Sequence, residues 1–370
     1  MRSLHAEGAT GPQNDWQCPS CRLATRAREG MFSLPNNPLI VATLQALCAG
    51  GARAQSNDGG WRSSREGTPY FDFWSGSGGR IRVTVGEADP IEAWEHIHSY
   101  SALTLDVAMS LLAGLACDAH RTATVAPRRD SVRLSAAAVL NAKKYRRFGA
   151  ERIQFANSVE LEMAKLLRLR FDIINYPAFN PTTRSWARMG ITRQDVALLE
   201  CAPDSPPPDA NECQRGLALR FGAWAEHWLH AGGPMWVSPL PQAVLCLDHR
   251  DNRGADVLAK KIGLLLALSW GAARHNDSSV LEVRALLRRV GELRRCGADT
   301  AHYSGRLADR TEEALMRLSE SGLFEIRLAG HDAAATLRAG GRRWFDSWLD
   351  ARLTISQPGF IQASIRAAAS

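Results

Sequence analysis

One order of apolar periods occurs twice in this chain, and that duplication limits its fold more than any single motif does. In the first copy Leu103, Val107, Leu111 and Leu115 recur every fourth residue, the spacing of one helical face. Small Ala108 and Ala113 lie beside them, and Thr104 is placed to cap the helix. A basic turn follows at Arg128 and Arg129. Ser131 to Leu134 then alternates as a short strand, and Ser135 can cap the brief helix SAAAVLNAKKY. A longer helix is expected from about Ala150 to Leu169, with Ile153, Ala156, Val159, Met163, Leu166 and Leu167 facing inward. FDIINYPAF, Phe171 to Phe179, alternates as a strand that turns at Pro177 into a hairpin.

The second copy begins with Val257, Leu258, Ile262, Leu265, Leu266 and Ser269 on one helical face. Ser279-Val-Leu-Glu282 has the capping-box pattern, in which a hydroxyl and a carboxylate each satisfy a free backbone donor. It is expected to open a helix through Val283, Leu286, Leu287 and Val290, closed by Gly291. Leu307, Thr311, Ala314, Leu315 and Leu318 mark a longer helix that Gly322 ends. LFEIRL, Leu323 to Leu328, alternates as a strand. The chain returns through RRWFDSWLDARLTI after a Gly- and Arg-bearing loop.

This order is that of a winged helix, a helix-turn-helix variant with a β-ribbon at its end. The fold class expected is α+β, mainly α, with two tandem winged-helix domains and a loosely ordered N-terminal extension. Residues 1–85 form that extension, because Gly, Ser, Arg, Asn and Pro dominate and only PLIVATLQALC is periodic. The N-terminal winged helix spans 86–200 and the C-terminal one 216–356, with a tail at 357–370. Residues 201–215 are placed between them as a linker, since APDSPPPDANE holds four prolines; an extended hairpin tip is the other reading of that stretch.

A formal charge of +7 and a pI near 9.2, supplied mostly by Arg, favour an anionic polymer as partner, because the planar guanidinium suits phosphate. The longest apolar run, Ile262 to Trp270, falls far short of the roughly 20 residues that cross a bilayer. MRSLHAEGATGPQ carries no apolar stretch of a secretory signal, so a cytoplasmic location is expected. Eight cysteines are scattered without a disulfide framework and are read as reduced thiols. Cys18-Pro-Ser-Cys21 has metal-like spacing, but a closed zinc site needs four ligands, and a plain turn is preferred. No metal or other cofactor is expected.

The cations gather where such folds meet DNA. KKYRRFG places Lys143, Lys144, Arg146 and Arg147 in the turn between two helices, with Tyr145 among them. Such residues neutralise phosphates and add salt-dependent affinity without reading sequence. Arg306, Arg310 and Arg317 share one face of the long second-copy helix, where a bidentate Arg could read guanine. Lys260 and Lys261, and Arg338, Arg342 and Arg343 in the later loop, complete the candidates. An outward Arg is most often only solvated, so the case rests on coincidence with two turn-helix-wing patterns.

Other stretches carry catalytic or metal-like patterns. Glu95-His96-Ile97-His98 contains the His-hydrophobe-His triplet of metal-dependent rolling-circle nickases, but it follows the helical PIEAWE and has no well-placed Tyr nucleophile. His227 and His230 could bind zinc but have no third ligand, and the packing of Trp228 explains them as well. In LCLDHRDNRGADVLAKKIG, Asp251 or Asn252 suits the cap of the following helix, so Asp248 to Asp251 reads as a hinge with metal binding as the minor alternative. No enzymatic activity is expected.

The two patterns, with LDHRDNRGADVLAKKIG, LEVRALLRRVGEL and RRWFDSWLDARL, resemble the initiators of theta-replicating bacterial plasmids over about Asp89 to Ile355. The resemblance implies that the C-terminal domain reads double-stranded origin repeats through Arg306 to Ser321. It implies that the N-terminal domain dimerises and contacts the DNA backbone, that monomers open the origin and dimers repress, and that host replication factors are partners. The alternatives from the residues are a winged-helix transcriptional repressor and the nickase using His96 and His98.

Overall fold

The structure is a computed structural model that describes residues 31–35, 37–50, 60–74, 79–87, 89–121, 131–180, 185–201, 217–228, 237–247, 254–272, 278–293, 300–322, 324–328 and 344–356. The expectation of a loose start fails where the chain is described before residue 86. Strand β1 (Met31–Pro35) pairs antiparallel with β10 (Val237–Pro241). Helix α1 (Pro38–Ala49) follows, capped by Asn37, whose Oδ1 accepts from the Leu39 and Ile40 amides at 3.1 and 3.2 Å. Leu39, Ile40 and Leu44 are fully buried, as is Trp61, whose Nε1 donates to the Ala46 carbonyl at 3.0 Å. Strands β2 (Arg62–Ser63), β3 (Pro69–Trp74) and β4 (Arg80–Val85) complete this layer. Average composition hid them: in β4 every second residue is buried while the alternate Arg80, Arg82 and Thr84 keep the mean polar.

The first repeat runs α2 (Pro90–His98), α3 (Ala102–Arg121), β5 (Val132–Leu134), α4 (Ala136–Ala142), α5 (Ala150–Leu166), β6 (Leu169–Asn180) and β7 (Ser185–Ala197). Leu103, Val107, Leu111 and Leu115 are buried as the period requires. Thr104 acts from inside the helix: the Ser101 hydroxyl accepts from the Leu103 amide, and Thr104 Oγ1 accepts from the Ser101 amide at 2.9 Å. The expected hairpin β6–β7 forms, yet it joins β4 in a five-stranded sheet of order β2-β3-β4-β6-β7. The partner of β5 comes later. Strands β8 (Leu199–Cys201) and β9 (Leu217–Phe221) pair with each other and β9 with β5, giving the order β5-β9-β8. Residues 202–216, where the linker or hairpin tip was expected, lie outside the described residues.

After α6 (Ala225–Trp228), β10 and α7 (Gln242–Cys246), the second repeat comprises α8 (Ala255–Ala272), β11 (Ser278–Glu282), α9 (Val283–Arg289), α10 (Thr300–Glu320), β12 (Glu325–Leu328), α11 (Trp344–Leu349) and β13 (Arg352–Ser356). Its sheet has the order β11-β13-β12, the same first-third-second arrangement as β5-β9-β8. Leu307, Thr311, Ala314, Leu315 and Leu318 are buried, and Gly291 and Gly322 end their helices with φ of 72° and 67°. The capping box does not form: Ser279 to Glu282 are strand residues paired with β13, and Glu282 makes no side-chain cap. Pairing with Leu353 and Ile355, both buried, outweighed the local capping preference.

The two repeats share one core. Asp106 on α3 accepts from Lys143 Nζ at the end of α4 and from Lys260 Nζ on α8 at 2.7 Å, and Lys143 also donates to the Leu245 carbonyl at 3.1 Å. Gln242 Nε2 donates to the Ala142 carbonyl at 2.8 Å. These bonds tie the α4–α5 turn of the first repeat to the first helix of the second. No single helix among the described residues is long and apolar enough to cross a membrane.

Candidate nucleic-acid interface

The turn between α4 and α5 is built by two opposed demands on one run of cations. Lys143 is drawn inward to Asp106, and both are buried. Arg152 on α5 donates to the Tyr145 carbonyl at 3.0 Å and to Asn141 Oδ1 at 3.2 Å, while the Tyr145 ring stacks on Phe155 with centroids 4.6 Å apart. With those anchors set, Lys144, Arg146 and Arg147 are left exposed. Lys144 has φ 51°, a left-handed conformation that disfavours a side chain, so the turn holds this lysine outward at a cost of about 1 kcal/mol. Arg147 pairs with Glu151 at 2.9 Å across two well-exposed groups, an interaction worth little in water.

Beyond the turn, Gly149 precedes α5 as its N-cap, with φ 66° and no side-chain cap. The buried side of α5 is Val159, Glu162, Met163 and Leu166. Ala150, Ile153, Gln154, Asn157, Leu161 and Ala164 are exposed, and at about 100° per residue they fall within an arc of about 100° opposite that side, flanked by the exposed Glu151 and the half-buried Glu160. Ile153 was expected in the core, but it is 63% exposed, and Leu161 is 66% exposed. The period was read one face too wide. None of the six residues is charged.

Lys143 and Lys260 depart from the expected phosphate contact. Lys260 is completely buried and Lys143 nearly so, and both are committed to Asp106, so neither reaches a phosphate. Burial, with Lys143 close by, lowers the Lys260 ammonium to about 8 against the pull of Asp106. Lys261 is half-buried; its Nζ donates to the Cys48 carbonyl at 3.1 Å, at the end of α1, and to Glu292 at 2.7 Å. Burial pushes the Glu292 carboxyl up, but Lys261 and Arg310 outweigh it and leave it below the usual range.

Arg306, Arg310 and Arg317 do share a face of α10, as their spacing predicted. Asp309, Glu313 and Glu320 lie in the same arc, which the selection of cations alone had passed over. Arg310 pairs with Glu292, and Arg317 pairs with Asp256 and Glu313. Arg306, Asp309, Arg310 and Glu313 line a cleft of ≈ 890 Å³. Its other walls include Ala49 and Gly50 at the end of α1, Ser101 and Ala102 at the start of α3, and Ala255 at the start of α8. Arg306, Asp309 and Glu313 on that half of the helix remain exposed at the cleft, while Arg310 is partly buried against Glu292. Arg338, Arg342 and Arg343 lie outside the described residues.

The catalytic and metal alternatives gain no geometry. His96 and His98 sit on α2, where two residues apart means about 200° of rotation, so the imidazoles do not share one side. The His96 ring meets the Lys165 carbonyl at 3.2 Å and is depressed by burial, while His98 stacks on Trp94. Among the described residues no three His, Cys, Asp or Glu side chains are grouped to hold a metal ion. Cys18 and Cys21, His230 and Asp248 to Asp251 lie outside them, as does the His227 side chain. Cys48, Cys201 and Cys246 are free thiols.

No protein-family model and no curated protein matches the chain in sequence. Among solved structures it is similar to a crystal structure of domains 2 and 3 of RctB, at 11% identity and a TM-score of 0.44, over 87% of this chain and 99% of that one.

Proposed function

We propose that the chain is a sequence-specific double-stranded DNA-binding protein made of two winged-helix halves on one frame. The observation that carries this reading is the repeated topology: in each half a core helix, a strand and two further helices are followed by two later strands that join the first in first-third-second order, with the hairpin β6–β7 intervening in the first half and α11 in the second. In such a unit the second helix of the turn is free to enter a major groove while the strand connection reaches along the backbone. The exposed Lys144, Arg146 and Arg147 at the start of α5 supply phosphate contacts at the required place.

At the finer level the role is that of a replication initiator of the theta-plasmid type, which acts by binding and opening DNA and carries out no reaction of its own. That assignment rests on the sequence resemblance and on the tandem arrangement; a monomer–dimer equilibrium and host replication partners come with it. A repressor would use the same contacts. The experiment is selection of duplexes from a random pool, followed by titration of the winner against salt. A selected sequence whose log affinity falls with log salt by about 0.9 per phosphate contacted is expected. Failure to enrich any sequence, or a flat salt response, overturns duplex recognition. Support of plasmid replication by a DNA fragment carrying that sequence separates initiator from repressor.

A further inference from the structure

We infer that α5 is the helix that reads bases, and that Gln154 and Asn157 do so at A·T pairs in the major groove. This deepens the proposed duplex recognition and rests on it. The sequence resemblance assigns reading to the other repeat, through α10, so the two can be told apart by experiment.

The first argument is the chemistry of the two outward faces. A helix seated in the major groove lies between two rows of phosphates, so carboxylates on its groove-facing side are repelled and amides are accepted. The α5 arc presents two amides, Gln154 and Asn157, among the apolar Ile153 and Leu161, with no charge on it. The matching α10 arc carries Asp309, Glu313 and Glu320, and its Arg310 and Arg317 are held by acids of this chain.

The second argument is access. The outer arc of α5 is exposed from Ala150 to Ala164, and an exposed basic turn stands at the helix start, where Gly149, without a side-chain cap, leaves the positive end of the helix dipole open. The first half of the α10 arc borders a cleft in which Arg310 is already held by Glu292, and the exposed Asp309 and Glu313 stand beside Arg306 there. Reading through Arg310 and Arg317 of α10 would need their pairs with Glu292, Asp256 and Glu313 to break.

The amides also specify what is read. Asn and Gln each bind adenine in two places, to N7 and the N6 amino group, and an aliphatic side chain packs on the thymine methyl. Gln154 and Asn157 are three residues apart, about 4.5 Å along the axis, so they address neighbouring base pairs. Ile153 and Leu161 then lie against thymine methyls of the same short A·T-bearing segment. Apolar exposure on a helix usually signals a protein partner instead. The cations of the turn, and the absence of any acid on the arc, fit a polyanion better than a second copy of this chain.

The test uses the full chain and the duplex it selects from a random pool. Asn157→Ala and Gln154→Ala should each weaken that duplex by about tenfold to a hundredfold while leaving affinity for a scrambled duplex unchanged. Replacing the contacted adenine with 7-deaza-adenine should weaken wild type in the same way but have no further effect on Asn157→Ala or on Gln154→Ala, whichever contacts it. Arg306→Ala should leave the base preference intact. If a sequence is selected but both amide variants keep full discrimination, or if Arg306→Ala abolishes it, α5 is not the reading helix and duplex recognition still stands. If no sequence is selected, both fall together. If Leu161→Asp or the amide variants turn a dimer into a monomer without changing base preference, the face is a contact between copies of the chain, and the inference is overturned.

Discussion

Asp106→Asn is the substitution that probes most sharply how the two repeats are held together. Asp106 is buried and carries two ammonium partners, so the cluster already has one positive charge in excess inside the protein. Converting the carboxylate to an amide leaves Lys143 and Lys260 facing each other without a counter-charge. Removing one partner of a buried ion pair costs about 3–5 kcal/mol, and the doubled cation puts this case at the upper end. The pH dependence follows from the same excess. Burial lowers Lys260 from 10.5 to about 8, so between those values the unfolded chain binds more protons than the folded one, and stability rises with pH across that window. The rise is at most about 3 kcal/mol, since each tenfold is worth 1.36 kcal/mol. Below about pH 8 both states are protonated and the cost is present in full.

The assay is urea unfolding followed by tryptophan fluorescence at several pH values. Lys260→Met serves as the control, because it leaves Lys143 and Asp106 as a matched pair. At pH 7 Asp106→Asn should be the least stable, and Lys260→Met should match or exceed wild type. The gap between wild type and Lys260→Met should move in favour of wild type from pH 8 to 10.5. An Asp106→Asn midpoint equal to wild type, or a gap that does not change with pH, would refute the buried cluster as described.

Other substitutions test other parts of the frame. Lys144→Gly relieves the left-handed backbone at φ 51° and should stabilise the fold by about 0.5–1 kcal/mol while weakening duplex binding at all sequences alike, read by thermal melting and a salt titration. Gly291→Ala should destabilise by several kcal/mol, because φ is 72° and a Cβ would sit 2.7 Å from Ala49 Cα; a neutral result would mean that α1 does not pack as described. Arg152→Ala should leave the fold stable within about 1 kcal/mol and weaken specific and non-specific binding together, since it frees the turn that holds Lys144 and Arg146.

Particular residues show how far the sequence was legible. The fourfold spacing of Leu103 to Leu115 and of Leu307 to Leu318 was read correctly because a helix that packs on one side must repeat near 3.6 residues. The layer from β1 to β4 was missed because its polar alternate residues and Gly-rich surroundings average to the composition of a tail. The strand at Ser279 was missed because a local capping pattern cannot reveal a partner as far along the chain as Ile355. At the interface, spacing placed Arg306, Arg310 and Arg317 together correctly. It could not tell that acids from elsewhere, Glu292 and Asp256, meet two of them. The inward turn of Lys143 and Lys260 was equally hidden, since their partner Asp106 lies in a run that reads as plain core. Gln154 and Asn157 carried a signal that was available: two amides on the outer side of a helix behind a basic turn.

The measurement that bears most directly on the central claim is a hydroxyl-radical footprint of the full chain on its selected duplex. If the two repeats bind as the proposed winged-helix halves, they should protect two backbone segments on one face of the duplex, their centres about 10–10.5 base pairs apart or a multiple of that. The protected segment nearer Lys144 and Arg146 should fade in the Lys144→Ala/Arg146→Ala double variant while the other persists. A single protected segment, or none at concentrations that saturate the selection, would contradict the account.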